Sequence, residues 1–273
     1  MKTALGAETS RQDRASEAVR SLVRKAGICV VDLDECIYPG FTQTTLGKML
    51  LLECRRRERR RYLPRLLRGA LFLAVTRLRG AGRGEEGNRR LMLAFARAIS
   101  GTPLKLVEEK ARLLPRRGPQ DWHQALEMIA ERMEVFLISF AIEPLARAYG
   151  EERGAAGKKI FRGWSGTPLV VEEGIIQGVA LSPSSLSPQS KVKTIERLLQ
   201  GRVPPFPLVI GHGRDESALA AWARERGGEA VGLSAAGGDL EAFDIKLPGR
   251  GWGTISRAFS LPGGFNRPEE EVP

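Results

Sequence analysis

Three short apolar runs constrain this chain more than anything else in it, because each is uninterrupted and each stops at a polar residue. They are Ile28 to Leu33, which encloses Asp32, Glu134 to Ser139, and Pro207 to Ile210, followed by Gly211-His212-Gly213-Arg214-Asp215-Glu216. A strand with one buried face alternates apolar and polar side chains; a continuous apolar run marks a strand buried on both faces. Helical periodicity separates the runs, and strands alternating with helices predict an α/β domain around a mostly parallel sheet. Open sheets of this kind gather their ligands at the C-terminal ends of the strands. The polar residues that close the runs are therefore the first candidates for chemistry.

The rest of the chain organises around these runs. Residues 1–10 read as a loose tail and 11–25 as a charged helix, so 1–26 precede the core. The core itself is expected at 27–40 and 131–260. Residues 41–130 lack β-branched runs and are rich in Leu, Arg, Ala and Glu. They are too long for one crossover and read as a helical insertion, with breaks at Gly80–Gly87, Gly101–Pro103 and Leu114–Pro119. Within it Leu63, Leu66, Leu67, Ala70, Leu71, Ala74 and Leu78 form one apolar stripe at helical spacing. After the second run come a helix from Glu143 to Tyr149 and a hairpin pairing Leu169–Glu172 with Ile175–Gln177 across Glu173-Gly174. A helix over Lys191–Leu199, a helix over Ser217–Arg226, and strands at Glu229–Leu233 and Asp244–Leu247 complete the pattern. Residues 261–273, rich in Pro, Gly and Glu, read as a disordered tail.

The chain has 273 residues, enough for one medium domain with a smaller one inserted, and its 42% hydrophobic content excludes global disorder. Cys29, Cys36 and Cys54 are odd in number and lack zinc spacing, which argues against a disulfide scaffold and for a reducing compartment. The first 25 residues carry no apolar signal core, and the longest apolar run, Gly69 to Thr76, is too short to span a bilayer. A cytoplasmic protein is expected. The net charge of +11 is local: between Leu46 and Ser100 fifteen basic residues face four acidic ones, a surplus equal to the whole. Arg55, Arg56, Arg57, Arg59, Arg60, Arg61, Arg65 and Arg68 run into the apolar stripe. A basic amphipathic segment, taken over Arg55–Arg79, suits an anionic membrane surface, and equally a solvated helix face whose stripe packs inward. Nucleic acid is disfavoured, because only Tyr62 and Phe72 interleave with the arginines.

Asp32 and Asp34 put two carboxylates two residues apart just after a buried strand. Such a pair suits a nucleophile beside an acid–base, with a divalent cation between them and a phosphate. It is equally compatible with a strand-ending loop in which Asp caps the next turn. The hydroxyl of Ser139 can donate to a phosphoryl oxygen, Lys191 can neutralise transition-state charge, and Asp215 and Glu216 can hold Mg²⁺.

In this order the segments resemble the motifs of the haloacid dehalogenase superfamily, in its phosphoserine phosphatase-like branch. Asp32-Leu33-Asp34-Glu35-Cys36-Ile37-Tyr38-Pro39 is similar to the first motif, Leu137-Ile138-Ser139 to the second, Lys191 to the third and Gly211–Glu216 to the fourth; Phe161–Gly178 is also similar, so the likeness spans about 27–235. The resemblance implies a Rossmann-like core with an inserted helical cap of the C1 kind that closes over a small phosphorylated substrate. It implies that Asp32 attacks phosphorus, that Asp34 protonates the leaving oxygen, activates water and offers its carbonyl to Mg²⁺, and that Ser139 and Lys191 bind the phosphoryl group. Two positions depart from the pattern. Cys36 replaces Thr or Val with a similarly small side chain. His212 stands where the family has the Asp that ligates Mg²⁺, and an imidazole suits softer metals. The metal is then held by Asp32, Asp34 and Glu216 with added water, or is a transition metal drawn by His212 with Asp215 nearby, or the phosphatase is impaired. The expected function is phosphomonoester hydrolysis through an aspartyl-phosphate with a divalent metal. The competing expectation is a catalytically impaired protein of the same fold that binds a partner or membrane through its basic cap.

Overall fold

The computed structural model describes residues 26–53, 63–78, 84–182, 184–233 and 239–260. The N-terminal segment, the Arg55–Arg61 cluster with Cys54, and the C-terminal tail lie outside the described residues. The apolar runs form β1 (Ile28–Val31), β2 (Glu134–Ile142) and β6 (Leu208–Gly211) of a six-stranded sheet. Its order is β3-β2-β1-β6-β7-β8, with β3 at Gly163–Thr167, β7 at Glu229–Leu233 and β8 at Ile245–Leu247. Every pairing is parallel. The continuous apolar runs have the cause the sequence suggests. In β1, Cys29 and Val31 join one core while Ile28 and Val30 join a second on the opposite face.

Among the described residues, five helices lie between β1 and β2: α1 (Thr42–Glu53), α2 (Leu63–Leu78), α3 (Gly84–Ile99), α4 (Leu104–Ala111) and α5 (Asp121–Ala130). After β2 come α6 (Glu143–Gly150), the antiparallel hairpin of β4 (Leu169–Glu172) and β5 (Ile175–Val179), α7 (Pro188–Leu199), α8 (Ser217–Arg224) and α9 (Trp252–Ser260). The hairpin leans on the inserted helices: Gly101 N–H donates to the Ile176 carbonyl at 2.7 Å and Ile176 N–H to Thr102 at 3.0 Å. Helices α2 and α3 approach closely at Gly69, where an added Cβ would sit 2.2 Å from the Ala98 Cα.

Four details differ from the sequence reading. Ser139 does not end its strand, because β2 continues to Ile142 through an irregularity between Ile138 and Ile142. The apolar stripe of α2 is not wholly packed: Leu66 is buried, but Leu67 and Leu71 are 54% and 67% exposed. The Gly-rich β3 and the helix α9 carry no apolar run strong enough to announce them. Helix α9 nevertheless braces the loop after β1, since the buried Trp252 donates Nε1–H to the Cys36 carbonyl at 2.9 Å. No described helix is long and apolar enough to cross a membrane.

Candidate active site

Adjacent parallel strands in register bring their C-terminal ends to one edge, and that edge gathers Asp32 after β1, Ser139 in β2 and His212 after β6. Lys191 enters from the first turn of α7, whose start is fixed by Ser187: its hydroxyl accepts from the Ser190 N–H at 3.3 Å. The Lys191 ammonium is buried, donates to Asp32 Oδ1 at 2.8 Å, and pairs with Glu216 Oε1. Its Nζ also stands 4.6 Å from the centre of the Phe140 ring.

Glu216 folds back over the end of β6. Its Oε2 accepts from the backbone N–H groups of His212 at 3.3 Å and Gly213 at 3.1 Å. Only glycine fits at 211, since a Cβ there would sit 2.6 Å from Glu216 Cγ. His212 lies between carboxylates. Its Nε2 is 3.0 Å from Glu35 Oε2, and its Nδ1 is 3.4 Å from Asp32 Oδ2 and 3.6 Å from Glu216 Oε2. Nδ1 is buried and makes no hydrogen bond of good geometry.

These contacts set the charges. Burial opposes ionisation of Asp32, but the Lys191 charge and the contact with His212 outweigh it and hold the carboxyl below its usual range. Burial pushes Lys191 down, yet Asp32 and Glu216 raise it overall. Burial pushes Glu216 up, and Lys191 offsets only part of that. His212 is pushed down by burial and then up to about 11 by its contacts with Asp32 and Glu35 and by the Glu216 charge. Asp34 is pushed up to about 6 by burial, against the hydrogen bond it accepts from Thr42 N–H at 2.7 Å. That bond caps α1, so Asp34 is a helix cap and faces the site as well.

Ser139 lines the pocket from β2. Its Oγ accepts from the Ala141 N–H at 3.0 Å, which leaves the hydroxyl proton free to donate toward the site. Asp215, expected among the metal ligands, lines the same pocket, and there Asn88 of α3 donates to both of its oxygens, at 3.0 and 2.9 Å. This bond ties the inserted helices to the loop after β6. The pocket above Asp34 is walled by Phe41, Leu91, Met92, Phe95, Phe140 and Leu186. Among the described residues Lys191 and His212 are the cationic side chains that line it.

Sequence reasoning passed over Glu35. Its φ of +58°, with N–H bonded to the Gly40 carbonyl at 3.0 Å, is a left-handed conformation that costs a non-glycine residue about 1–2 kcal/mol. Its adjacency to Asp34 was the available signal.

The donors fit a metal ion. Asp32, His212 and Glu216 can each turn one ligand atom inward with all three within 4.8 Å of one another. The buried Nδ1 without a hydrogen bond is the atom such an ion would satisfy. The donor set of one nitrogen and two carboxylates is not the all-oxygen set that Mg²⁺ favours.

No family model matches the sequence, and no curated protein matches it. Solved structures do. Cytosolic 5'-nucleotidase IIIB bound to cytidine superposes with a TM-score of 0.58 at 12% identity over 90% of this chain and 89% of that one. A substrate-bound phosphoserine phosphatase gives 0.53 at 14% identity over 81% and 92%, and phosphoserine phosphatase from T. onnurineus gives 0.51 at 14% over 88% and 97%. The chain therefore has the Rossmann-like α/β fold of the haloacid dehalogenase superfamily. Within that fold it takes the phosphoserine phosphatase-like form, with helices inserted between its first two sheet strands.

Proposed function

We propose that this chain is a phosphomonoester hydrolase that carries the phosphoryl group on Asp32. The observation that carries the reading is the buried Asp32–Lys191 pair at the tip of the central strand, with the poised carboxyl of Asp34 two residues on. Solved structures with this fold are named for phosphatase and nucleotidase activities, which supports the same reading.

Lys191 keeps Asp32 ionised, as a nucleophile requires. An Asp32 oxygen bonds to phosphorus as the ester P–O bond breaks, and protonated Asp34 gives its proton to the departing oxygen. The Asp34 carboxylate then takes a proton from water, whose oxygen attacks phosphorus and releases Asp32. A pKa of about 6 suits a group that must both give and take a proton near neutrality. Lys191 and the free Ser139 proton answer charge on the phosphoryl oxygens. Asp32, Glu216 and His212 would hold a divalent metal, whose chemistry when bound is to neutralise and orient those oxygens.

The apolar wall of the pocket favours an apolar group on the substrate. Among the described residues the two lining cations stand among the site's own carboxylates, and neither is offered to a second anionic group such as an amino-acid carboxylate. The test is phosphate release from an aryl phosphate and from O-phosphoserine with several divalent metals. Turnover of the aryl ester, lower on phosphoserine and reduced at least about 1,000-fold in Asp32→Asn, is expected. Turnover that persists in Asp32→Asn would overturn the reading.

A second feature bears on where the protein works. Leu67 and Leu71 on α2 are exposed, and in sequence the helix follows a stretch rich in arginine. An anionic lipid surface would accept both the apolar side chains and the charge.

A further inference from the structure

We propose that His212 makes this centre a site for a nitrogen-accepting transition-metal ion of the Zn²⁺, Co²⁺ or Fe²⁺ type, in preference to Mg²⁺, with Glu35 as the residue that positions its ring. The inference concerns the centre on which the phosphatase reading rests, but it is a statement about binding.

Three features of the geometry support it. The first is the buried Nδ1, which lacks a hydrogen bond yet faces the Asp32 and Glu216 oxygens at 3.4 and 3.6 Å. Two atoms bound to one ion at about 2.1 Å each stand roughly 3–3.5 Å apart in tetrahedral or octahedral geometry. The separations are therefore those of co-ligands, slightly opened.

The second is the other side of the ring. Nε2 meets Glu35 Oε2 at 3.0 Å. A histidine that ligates through one nitrogen characteristically donates from the other to a carboxylate, which fixes tautomer and orientation. Glu35 reaches that point from a backbone in the left-handed region, and the loop carrying it is braced: Arg250 donates to the Ile37 carbonyl at 3.1 Å and Trp252 to Cys36 at 2.9 Å. A strained residue held in this way has a reason to be held.

The third is the division of labour among the carboxylate oxygens. Lys191 takes Asp32 Oδ1 and Glu216 Oε1, so it is the Oδ2 and Oε2 atoms that turn toward His212. A lysine and an ion can then share the two carboxylates without competing for the same oxygen. An ion at that point takes the place of the Nδ1 proton. One imidazole among oxygen donors shifts preference away from Mg²⁺, which rejects nitrogen, toward metals that accept both.

The experiment is equilibrium dialysis of the full chain, stripped with chelator, against Co²⁺, Zn²⁺ and Mg²⁺, with the visible absorption of bound Co²⁺ as a second readout. The wild type is expected to take up one Co²⁺ or Zn²⁺ per chain at least about 100-fold more tightly than Mg²⁺. His212→Asp should erase that preference and change the Co²⁺ spectrum. Glu35→Gln keeps a partner for the ring but loses the carboxylate, and should weaken Co²⁺ by about 10–100-fold. Thermal unfolding of each variant, and His212→Gln beside His212→Asp, separate loss of the ligand from loss of the fold. Equal affinity for Mg²⁺ and Co²⁺, no uptake of any metal, or Co²⁺ binding indifferent to His212→Asp and His212→Gln would overturn the proposal. A chain that binds Co²⁺ through His212 but releases no phosphate would keep this site and overturn only the phosphatase reading.

Discussion

Two buried lysines show how differently the strand tips and the inserted helices use the same chemistry. Lys191 sits at the strand tips between Asp32 and Glu216, with all three side chains nearly inaccessible. Lys110 of α4 pairs with Glu53 of α1 at 2.8 Å and with Glu109 at 3.0 Å, at the edge of its core. Burial opposes the charge of each lysine, and carboxylate partners raise both. The difference lies in what surrounds the pairs. Lys110 closes a contact between α1 and α4, and neither it nor Glu53 lines the pocket above Asp34. Lys191 stands in a cluster in which Asp32, Asp34 and His212 line the pocket and Glu216 lies buried beside them. Lys110 meets its carboxylates at a helix contact, whereas the strand tips gather several charges of both signs in one cluster.

The sharpest way to break the comparison is to truncate both lysines to methionine. Lys191→Met leaves Asp32 and Glu216 buried without their shared cation, a loss of about 3–5 kcal/mol. That is a large share of the 5–15 kcal/mol typical of a folded domain. Phosphate release should disappear with it. Lys110→Met keeps the aliphatic stem, and its carboxylates can reach solvent more easily, so about 1–2 kcal/mol is expected with turnover unchanged. Urea unfolding alongside the aryl phosphate assay reads both. Equal stability losses for the two variants would mean that the strand tips are no more charged with strain than the helices.

A smaller effect is expected at Asp34, where function and stability should oppose one another. Its carboxyl is raised from an ordinary 3.8 to about 6 by burial. Below pH 3.8 the folded and unfolded chains are both protonated. Between 3.8 and 6 the folded chain keeps a proton that the unfolded chain has released, so this group's contribution to stability falls as pH rises and is gone above about 6. Asp34→Asn keeps the acceptor for Thr42 N–H and removes the charge. It should be more stable than the wild type by about 1–2 kcal/mol at pH 8, with the gap closing at pH 4. Its turnover should be lost at both. Thermal unfolding midpoints at the two pH values measure the first, and a variant less stable at pH 8 would refute the account.

The same contrast explains what was legible in the sequence. The strands β1, β2 and β6 are readable because burial on both faces leaves only apolar residues, and the charged groups at their ends stand out against that background. Asp32, Ser139, Lys191, His212 and Glu216 converge for this reason. The spacing brought Asp215 to the pocket as well, but it says nothing of Asn88, 127 residues away in sequence, which donates to both of its oxygens. Glu35 offered only its adjacency to Asp34, because a left-handed φ at a non-glycine residue has no sequence signature. The strand β3, Gly-Trp-Ser-Gly-Thr, was missed because its glycines leave room for neighbours: at Gly166 a Cβ would sit 2.8 Å from the Ala146 Cβ. Packing demanded small residues there, and small residues do not read as strand. On α2 the periodicity gave a helix but not the side that packs, since close approach at Gly69 turns Leu66 inward and leaves Leu67 and Leu71 outside.

Those two leucines carry the smallest expected effect and the last way to sharpen the comparison. Exposed apolar side chains on a helix are common singly, and a pair one turn apart matters only if something covers it. Lipid would cover such a pair and would also answer the charge of the arginine-rich sequence before it, at about 1 kcal/mol per basic residue near an anionic surface. Flotation with vesicles of anionic lipid at low salt should carry the protein upward. Added salt should release it, because screening shortens the reach of the charges to a few ångströms. Leu67→Ser with Leu71→Ser should weaken binding by about 10-fold while leaving aryl phosphate turnover intact, since neither side chain lines the site pocket. Failure to float at low salt would leave α2 as a packing element and confine the function of the molecule to its strand tips.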